Sequence, residues 1–161
     1  MASALHSHSG PMESPASRAT FERYLDALNG RDLATLEELV HPEFEDFYPQ
    51  SGELTRGVRN LQGIIANYPG ELEALGRDRV IGGEDRFVRT PMFTVLRVEG
   101  SADIFTAVQR ARYPDGSVWF IVVISELRDG LIYRTQSFWA PTFDPPAWRA
   151  GWVEEQGRPG G

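Results

Sequence analysis

The chain has 161 residues, of which 41% are hydrophobic and 24% charged, as expected for one globular domain with a real core. Its formal net charge of −7 excludes sequence-independent binding to nucleic acid or to anionic membranes, since both need a basic face. No apolar run approaches the roughly 18 residues that span a bilayer.

The residue types that are missing exclude whole classes of chemistry. The sequence contains no cysteine and no lysine, because all sixteen basic residues are arginines. Thiolate nucleophiles, thiolate zinc sites, Schiff bases and P-loops are therefore excluded. His41 is the one histidine of the predicted folded part, so a metal site built on several histidines is excluded too. These absences predict chemistry without metal or cofactor, carried by carboxylates, Tyr, Arg and Ser.

The chain divides into a leader, one domain and a tail. Residues 1–17 are small and polar without periodicity and predict a disordered leader. They lack the apolar stretch of a secretory signal, so we expect a cytoplasmic protein. The domain is expected over residues 18–155, and residues 156–161 are expected to fray.

The first predicted elements form a helical hairpin. Apolar residues at helical spacing predict a helix over Arg18–Asn29, ended by Asn29-Gly30 as a left-handed cap. Asp32 is the predicted N-cap of a second helix, which His41-Pro42 stops.

The middle of the chain mixes helix and strand. The predictions, in order, are a strand over 44–48, a polar loop over 50–56, a helix over 57–68, either a turn or a short helix over 71–76, and strands over 79–81 and 86–98. Pro91 predicts a bulge or an edge position within the last of these strands.

Three consecutive antiparallel strands are predicted next, over 104–113, 117–127 and 131–139, with turns at Pro114-Asp115-Gly116 and Arg128-Asp129-Gly130. The second strand is apolar almost throughout, so both of its faces are expected to be covered. The third mixes polar and aromatic residues, which suits a wall that is part core and part pocket. The tail over 142–152 carries three aromatic residues and is expected to dock on some surface.

Four segments resemble the nuclear-transport-factor-2-like superfamily, and its SnoaL-like branch, which includes polyketide cyclases, in particular. They are Arg23–Leu33, Pro49–Glu53 with Arg56-Gly57, Glu126–Ile132 and Pro146–Ala150. The resemblance implies an α+β fold, a cone-shaped barrel of curved antiparallel sheet wrapped around N-terminal helices and enclosing an apolar pocket. The superfamily includes isomerases, cyclases, dehydratases, epoxide hydrolases and proteins that are not enzymes, so fold alone does not give function.

The ketosteroid isomerase branch offers three catalytic positions for comparison. Its oxyanion-hole tyrosine falls on Tyr24, its general-base aspartate on Tyr48 and its second acid on Ser125. The resemblance thus implies that Tyr24 donates a hydrogen bond to a developing enolate, whereas the residue pattern alone equally fits a core tyrosine.

Asp46 is the candidate for the missing base. It shares a strand face with Tyr48, and partial burial there would raise its pKa toward the working range of a base. A solvated acidic surface is the alternative, because Glu43 and Glu45 are neighbours. His41 is either a group that titrates near neutrality and contacts substrate or a helix cap.

Further candidates line the predicted pocket or lie beside it. Trp119 and Ser125 share one strand face as a wall and a weak polar contact, and Phe138 is a candidate contact on the next strand. The two arginines of Arg110-Ala111-Arg112 either bind an anion or form surface ion pairs. An Asp–Arg–Asp group that activates water, as in epoxide-hydrolase relatives, could draw only on Asp103, Arg110 and Asp46. Phe138, Trp139, Trp148 and Trp152 fit a lid, a dimer contact or core packing.

The function predicted from these residues is cofactor-independent acid/base chemistry, a cyclisation or isomerisation of a small hydrophobic carbonyl or polyketide-like metabolite. Tyr24 is the expected oxyanion donor and Asp46 the expected base. One alternative is a non-catalytic small-molecule-binding or dimeric interaction module, and another is epoxide-hydrolase-like water activation. A homodimer paired through the outer sheet face near Trp119–Ile124 is also expected.

Overall fold

The computed structural model describes residues 15–69 and 93–157. These residues form helices α1 (Pro15–Gly30), α2 (Leu33–Leu39) and α3 (Gly57–Ala66), strands β1 (Val40–Tyr48), β2 (Glu53–Arg56), β3 (Phe93–Ser101), β4 (Ile104–Arg112), β5 (Val118–Arg128) and β6 (Leu131–Pro141), and a short 3-10 turn (Ala147–Arg149). None of the described helices is both long and apolar enough to span a membrane.

The helical hairpin forms as predicted, but its corner uses a different residue. Asp32 caps α2 by accepting a hydrogen bond from the Thr35 amide at 3.1 Å, which confirms the predicted N-cap. The left-handed position at the end of α1 is Arg31, with a φ of 54°, whereas Asn29-Gly30 had been expected to supply it. The amide of Asp32 donates to the Ala27 carbonyl at 2.9 Å, so this end is closed by a Schellman-type bond.

Helix α1 starts three residues earlier than the periodicity predicted. It begins at Pro15, which suits the first turn of a helix because its missing N–H needs no partner there. Ser17 is buried and donates to the Asp103 carboxylate at 3.0 Å. Residues 15–17 therefore belong to the domain, and the rest of the predicted leader, residues 1–14, lies outside the described residues.

The middle of the chain differs from the prediction in two ways. Strand β1 starts at Val40 and not at Phe44, and the predicted loop over 50–56 contains strand β2, which pairs antiparallel with β1. The sequence did not predict strand β2, because the side chains of an exposed edge strand do not need to alternate between apolar and polar. The elements predicted over 71–76 and 79–81, and Pro91, lie outside the described residues.

The fold is α+β, with a six-stranded sheet in the order β2-β1-β6-β5-β4-β3. The meander β3 to β6 is antiparallel as predicted, but β1 runs parallel to β6, so the sheet is mixed. Among the described strands, the end strands β2 and β3 are not paired with each other, so the expected cone-shaped sheet is confirmed as an open cone, and it is mixed where a wholly antiparallel sheet was expected.

The two turns of the meander follow their sequences. Asp129 and Gly130 have φ values of 54° and 77°, the two consecutive positive values of a tight hairpin between β5 and β6. Gly116, with a φ of 82°, closes the preceding turn by donating to the Tyr113 carbonyl at 2.9 Å.

The core lies between the helices and the inner face of the sheet. Phe21 of α1 stacks on Phe105 of β4 with ring centroids 5.4 Å apart. Ile121, Val123 and Leu127 of β5 are buried on the same inner face. The outer face of β5 is only partly covered, so the prediction that both faces are buried is wrong.

The aromatic tail does not dock on the described domain. Phe143, Trp148 and Trp152 are 70%, 78% and 88% exposed. The alternative of core packing for the two tryptophans is therefore wrong, and the described domain does not supply the surface on which the tail was expected to dock. Hydrophobicity alone does not indicate whether the fold offers a surface to receive such a segment.

Candidate functional site

Two adjoining cavities lie between α3 and the inner face of the sheet. The outer cavity has a volume of about 500 Å³, and the inner one about 50 Å³. Both are lined by Tyr48, Ile64, Tyr68 and Trp139, so the inner cavity continues the outer one. The outer volume suits a small organic molecule, whereas the inner one holds only a few atoms of it.

Asp46 lies at the bottom of the inner cavity. Period-2 alternation along β1 points its side chain inward beside β6, where it is only 4% exposed. Ser137 donates a hydrogen bond to its Oδ1 at 3.0 Å, and the Tyr48 phenol donates a second. Burial raises the pKa of Asp46 to about 6, although these two hydrogen bonds oppose the shift. Asp46 is thus a buried carboxylate facing the cavity, and the solvated acidic surface is wrong for this residue.

Tyr24 faces the same small space from α1. Its side chain is buried, hydrogen-bonded to Thr135, and lines the inner cavity. Burial, and then the nearby Asp46 charge, raise the pKa of Tyr24 far above its ordinary value. The phenol therefore stays neutral and keeps a proton to donate. Tyr24 is thus a core tyrosine that also lines a cavity, so its proposed role as an oxyanion donor stays a prediction.

Tyr48 connects the two cavities. It lines both of them, and its phenol donates to the Asp46 carboxylate. Burial and the Asp46 charge raise the pKa of Tyr48 as well, so the proton of this hydrogen bond stays on the phenol. Tyr48 therefore holds the carboxylate from the side of the outer cavity.

The outer cavity has an aromatic wall. The Tyr68 hydroxyl donates to the Tyr113 hydroxyl at 2.7 Å, and the ring of Tyr113 meets Trp119 edge-on at 5.8 Å between centroids. On its other side Tyr68 lies 6.3 Å from Trp139. Trp119 is thus a cavity wall, as the sequence suggested.

Ser125 lies behind the cavity and not in it. It is fully buried, shares the inner face of β5 with Trp119, and lies 3.3 Å from the Thr135 hydroxyl. Because Thr135 bonds Tyr24 in turn, Ser125 is one hydroxyl removed from the site. It supports Tyr24 through Thr135 and does not line either cavity.

Two other predicted contacts lie elsewhere in the fold. Phe138 is on the outer sheet face, because the alternation that turns Ser137 and Trp139 inward turns Phe138 outward. His41 belongs to β1, where its Nδ1 accepts from the Glu43 amide at 3.0 Å, and it lines neither cavity. Both substrate-contact predictions are therefore wrong, and His41 is not a helix cap.

The proposed Asp–Arg–Asp group is not assembled. Asp103 lies in the β3–β4 turn, where it accepts the Ser17 hydroxyl. Arg110 is buried, but neither it nor Asp103 lines a cavity with Asp46, and Arg112 lines neither cavity. Surface ion pairing is wrong for Arg110, since a side chain that is 1% exposed is not at the surface.

No cluster of three or more potential metal ligands occurs within residues 15–69 and 93–157. The polar groups around the inner cavity are three phenols, two hydroxyls, one carboxylate, an amide and an indole N–H. This set can hold and move a proton, which needs no cofactor.

Sequence reasoning missed Thr135 and Ser137, which bind Tyr24 and Asp46. Their spacing of two on a mixed strand, continued by Trp139, was the available signal. It indicates the inward face of β6 and would have excluded Phe138.

Comparison with solved structures gives the fold. The chain is similar to a proposed ketosteroid isomerase from Kribbella flavida, with 24% identity, a TM-score of 0.69, and 89% of this chain and 91% of that chain covered. It is also similar to an NTF-2 like protein of unknown function from Burkholderia xenovorans, with 24% identity, a TM-score of 0.64 and coverages of 88% and 96%. An LEH-like epoxide hydrolase from M. tuberculosis is 13% identical, with a TM-score of 0.55 and coverages of 78% and 83%. This chain has the NTF2-like cone fold.

The similarity of this chain to NTF2-like proteins is a similarity of structure. No protein-family model matches the sequence, and no curated protein matches it. At these identities the NTF2-like cone accounts for the cavity between helices and sheet, and the chemistry has to be argued from the residues in it.

Proposed function

We propose that this protein catalyses cofactor-independent proton transfer at the carbon next to a carbonyl group of a small hydrophobic molecule, leading to isomerisation or cyclisation. The observation that carries the proposal is Asp46, a buried carboxylate whose pKa is raised to about 6, at the bottom of the small inner cavity that continues a ligand-sized outer one. A base with such a pKa is ionised at neutral pH and still basic enough to take a proton.

The reaction would use the two sides of the inner cavity. The Asp46 carboxylate takes a proton from the carbon, and the electrons of the broken C–H bond move to the carbonyl oxygen. The neutral Tyr24 phenol donates a hydrogen bond to the enolate so formed. The protonated Asp46 then returns its proton to a different carbon of a conjugated enolate, which gives an isomer. Alternatively, the enolate carbon attacks a second carbonyl carbon of the same molecule, which closes a ring, and the oxygen of that carbonyl takes the proton from Asp46.

The sizes of the two cavities support one orientation of the proposed substrate. A space of about 50 Å³ admits the carbonyl and its neighbouring carbon, while the rest of the molecule occupies the aromatic outer cavity. Planar rings or enones fit against Trp119 and Trp139. A SnoaL-like cyclisation of a polyketide-like substrate is the specific form of the reaction that the sequence resemblance favours.

The test is exchange of carbon-bound hydrogen for deuterium, followed by proton NMR on planar β,γ-unsaturated ketones and 1,3-diketones in heavy water. Wild type is expected to accelerate exchange above the buffer rate, and Asp46→Asn to abolish the acceleration. Tyr24→Phe should slow exchange by about 100-fold, the effect typical of losing one oxyanion donor. Asp115→Asn is the matched control, since Asp115 is an exposed turn residue. Exchange unchanged in Asp46→Asn would refute the proposal.

A binding module without catalysis is the second candidate. The aromatic wall supports it, because such a cavity binds planar molecules whether or not a base is present. Thermal-shift titration with planar phenols on wild type and Tyr24→Phe would distinguish the two. Ligand-induced stabilisation without any exchange would favour the binding module.

A second copy of this chain is proposed to cover the outer sheet face. Phe47, Leu54, Ile104 and Ile124 are 37–57% exposed there, along one groove. Glu126 and Arg134, opposite charges that are neighbours across β5 and β6, lie in the same groove, so the face can pair with itself about a twofold axis. Light scattering should give the dimer mass, and Ile124→Glu should give the monomer. A monomeric wild type would contradict this arrangement.

A further inference from the structure

The outer cavity carries charge of one sign. Of the residues that the structure places around it, the charged one is Glu53, at the rim, and the next charged side chain inward is Asp46. A ligand in this cavity therefore meets a negative potential, in a protein whose formal net charge is −7.

Several hydrogen-bond donors around the cavity are bonded within the protein. The Trp119 indole N–H donates to the Ser117 hydroxyl at 3.0 Å, and the Gln50 amide nitrogen donates to the Trp139 carbonyl at 2.8 Å. The Ser51 hydroxyl donates to Glu53 at 2.5 Å. What these residues present to a ligand are acceptors, the Gln50 amide oxygen and the Glu53 carboxylate.

Two of the phenols around the cavity also donate within the protein. Tyr48 donates its proton to Asp46, and Tyr68 donates to Tyr113. The rings themselves add the negative faces of their π systems along the wall from Trp139 to Trp119. Aromatic walls combined with a carboxylate are the arrangement that proteins use for alkylated ammonium groups.

We infer that the outer cavity binds ligands that carry a cationic nitrogen, seated between the aromatic wall and Glu53. Taken with the proposed function, on which this assignment of the substrate class rests, the substrate is an amino or ammonium ketone. Its carbonyl end enters the inner cavity toward Tyr24 and Asp46, and its cationic end stays at the rim.

The test compares three phenols that differ at one substituent, by isothermal titration calorimetry at neutral pH. They are 4-(trimethylammonio)phenol, its neutral isostere 4-tert-butylphenol, and 4-hydroxybenzenesulfonate. The cation is expected to bind about tenfold more tightly than the isostere, and the sulfonate most weakly. Equal affinity for the cation and the isostere, tighter binding of the sulfonate, or no binding of any of the three would overturn the inference.

Two variants that each remove one negative charge test whether the preference for the cation arises at the outer cavity. Glu53→Gln should lower the affinity for the cation several-fold and leave that for 4-tert-butylphenol unchanged. Glu37→Gln changes the net charge equally but lies on the exposed face of α2, so it should change neither affinity. Equal effects of the two substitutions would indicate a long-range field and contradict the assigned site.

Failure of this inference and failure of the proposed function are separable. Asp46→Asn should abolish carbon–hydrogen exchange while keeping most of the preference for the cation, because the aromatic wall and Glu53 remain. Exchange by wild type without a preference for the cation would refute only the ligand class. A preference for the cation without exchange would refute only the catalysis.

Discussion

The substitution Asp46→Asn should change stability in a way that reports directly on the buried base. Asn has nearly the same shape, and its amide oxygen can still accept from Ser137 and Tyr48. What it removes is the charge, which burial disfavours. The substitution therefore isolates the free energy that the fold spends on keeping Asp46 ionised.

The magnitude follows from the pKa of Asp46, about 6 in the folded protein and 3.8 when unperturbed. Between those values the folded state binds more protons, so the free energy of unfolding of wild type falls as the pH rises and levels off above about 6. Over this window the loss amounts to about 3 kcal/mol, at about 1.4 kcal/mol for each pH unit. Asn at position 46 removes this loss, so the variant gains about 3 kcal/mol relative to wild type between pH 4 and pH 7.

The assay is urea unfolding of both proteins at several pH values, with the difference in free energy of unfolding plotted against pH. Any constant effect of the new amide group shifts the whole plot, and the slope still reports on Asp46. Asp115→Asn is the control, because hydrogen bonds from Ser117 lower the pKa of Asp115. Its difference from wild type should change in the opposite direction. A flat plot for Asp46→Asn would refute the buried, ionised base.

Three further predictions concern Tyr48, the N-cap of α2 and the β3–β4 turn. Tyr48→Phe removes a hydrogen bond that lowers the pKa of Asp46, so the acidic limb of the exchange rate against pH should move to higher pH, as NMR rates would record. Asp32→Ala removes the α2 N-cap and should lower the free energy of unfolding by about 1 kcal/mol in urea titrations, independently of exchange activity. Gly100→Ala places a Cβ 2.2 Å from the Ile104 carbonyl oxygen at a φ of +141°, so calorimetry should show a melting temperature many degrees lower; an unchanged melting temperature would contradict the β3–β4 turn.

Local chemistry made some elements predictable. Asp32 bonds an amide three residues on, and Asp129-Gly130 adopts the backbone that its tight turn demands, so both are decided within a few residues. The inward direction of the Asp46 side chain was predictable for a related reason, since its alternation with Tyr48 is a property of one strand.

Features that depend on distant partners were not predictable in this way. The parallel pairing of β1 with β6 joins residues about ninety positions apart, and nothing in either strand specifies its direction. Phe138 was misplaced because an aromatic residue fits either face of a strand. Trp148 and Trp152 are hydrophobic, but their exposure depends on a surface elsewhere in the chain or in another molecule.

The pKa of the Asp46 carboxyl group tests the central claim most directly. It can be measured by carbon-13 NMR titration of protein labelled at aspartate, with the Asp46 signal assigned by its loss in Asp46→Asn. The structure predicts a midpoint of about 6, because burial raises the pKa of Asp46 more than the hydrogen bonds from Tyr48 and Ser137 lower it. A midpoint at or below 3.8, the value of an unperturbed aspartate, would show a solvated carboxylate and contradict the proposed base.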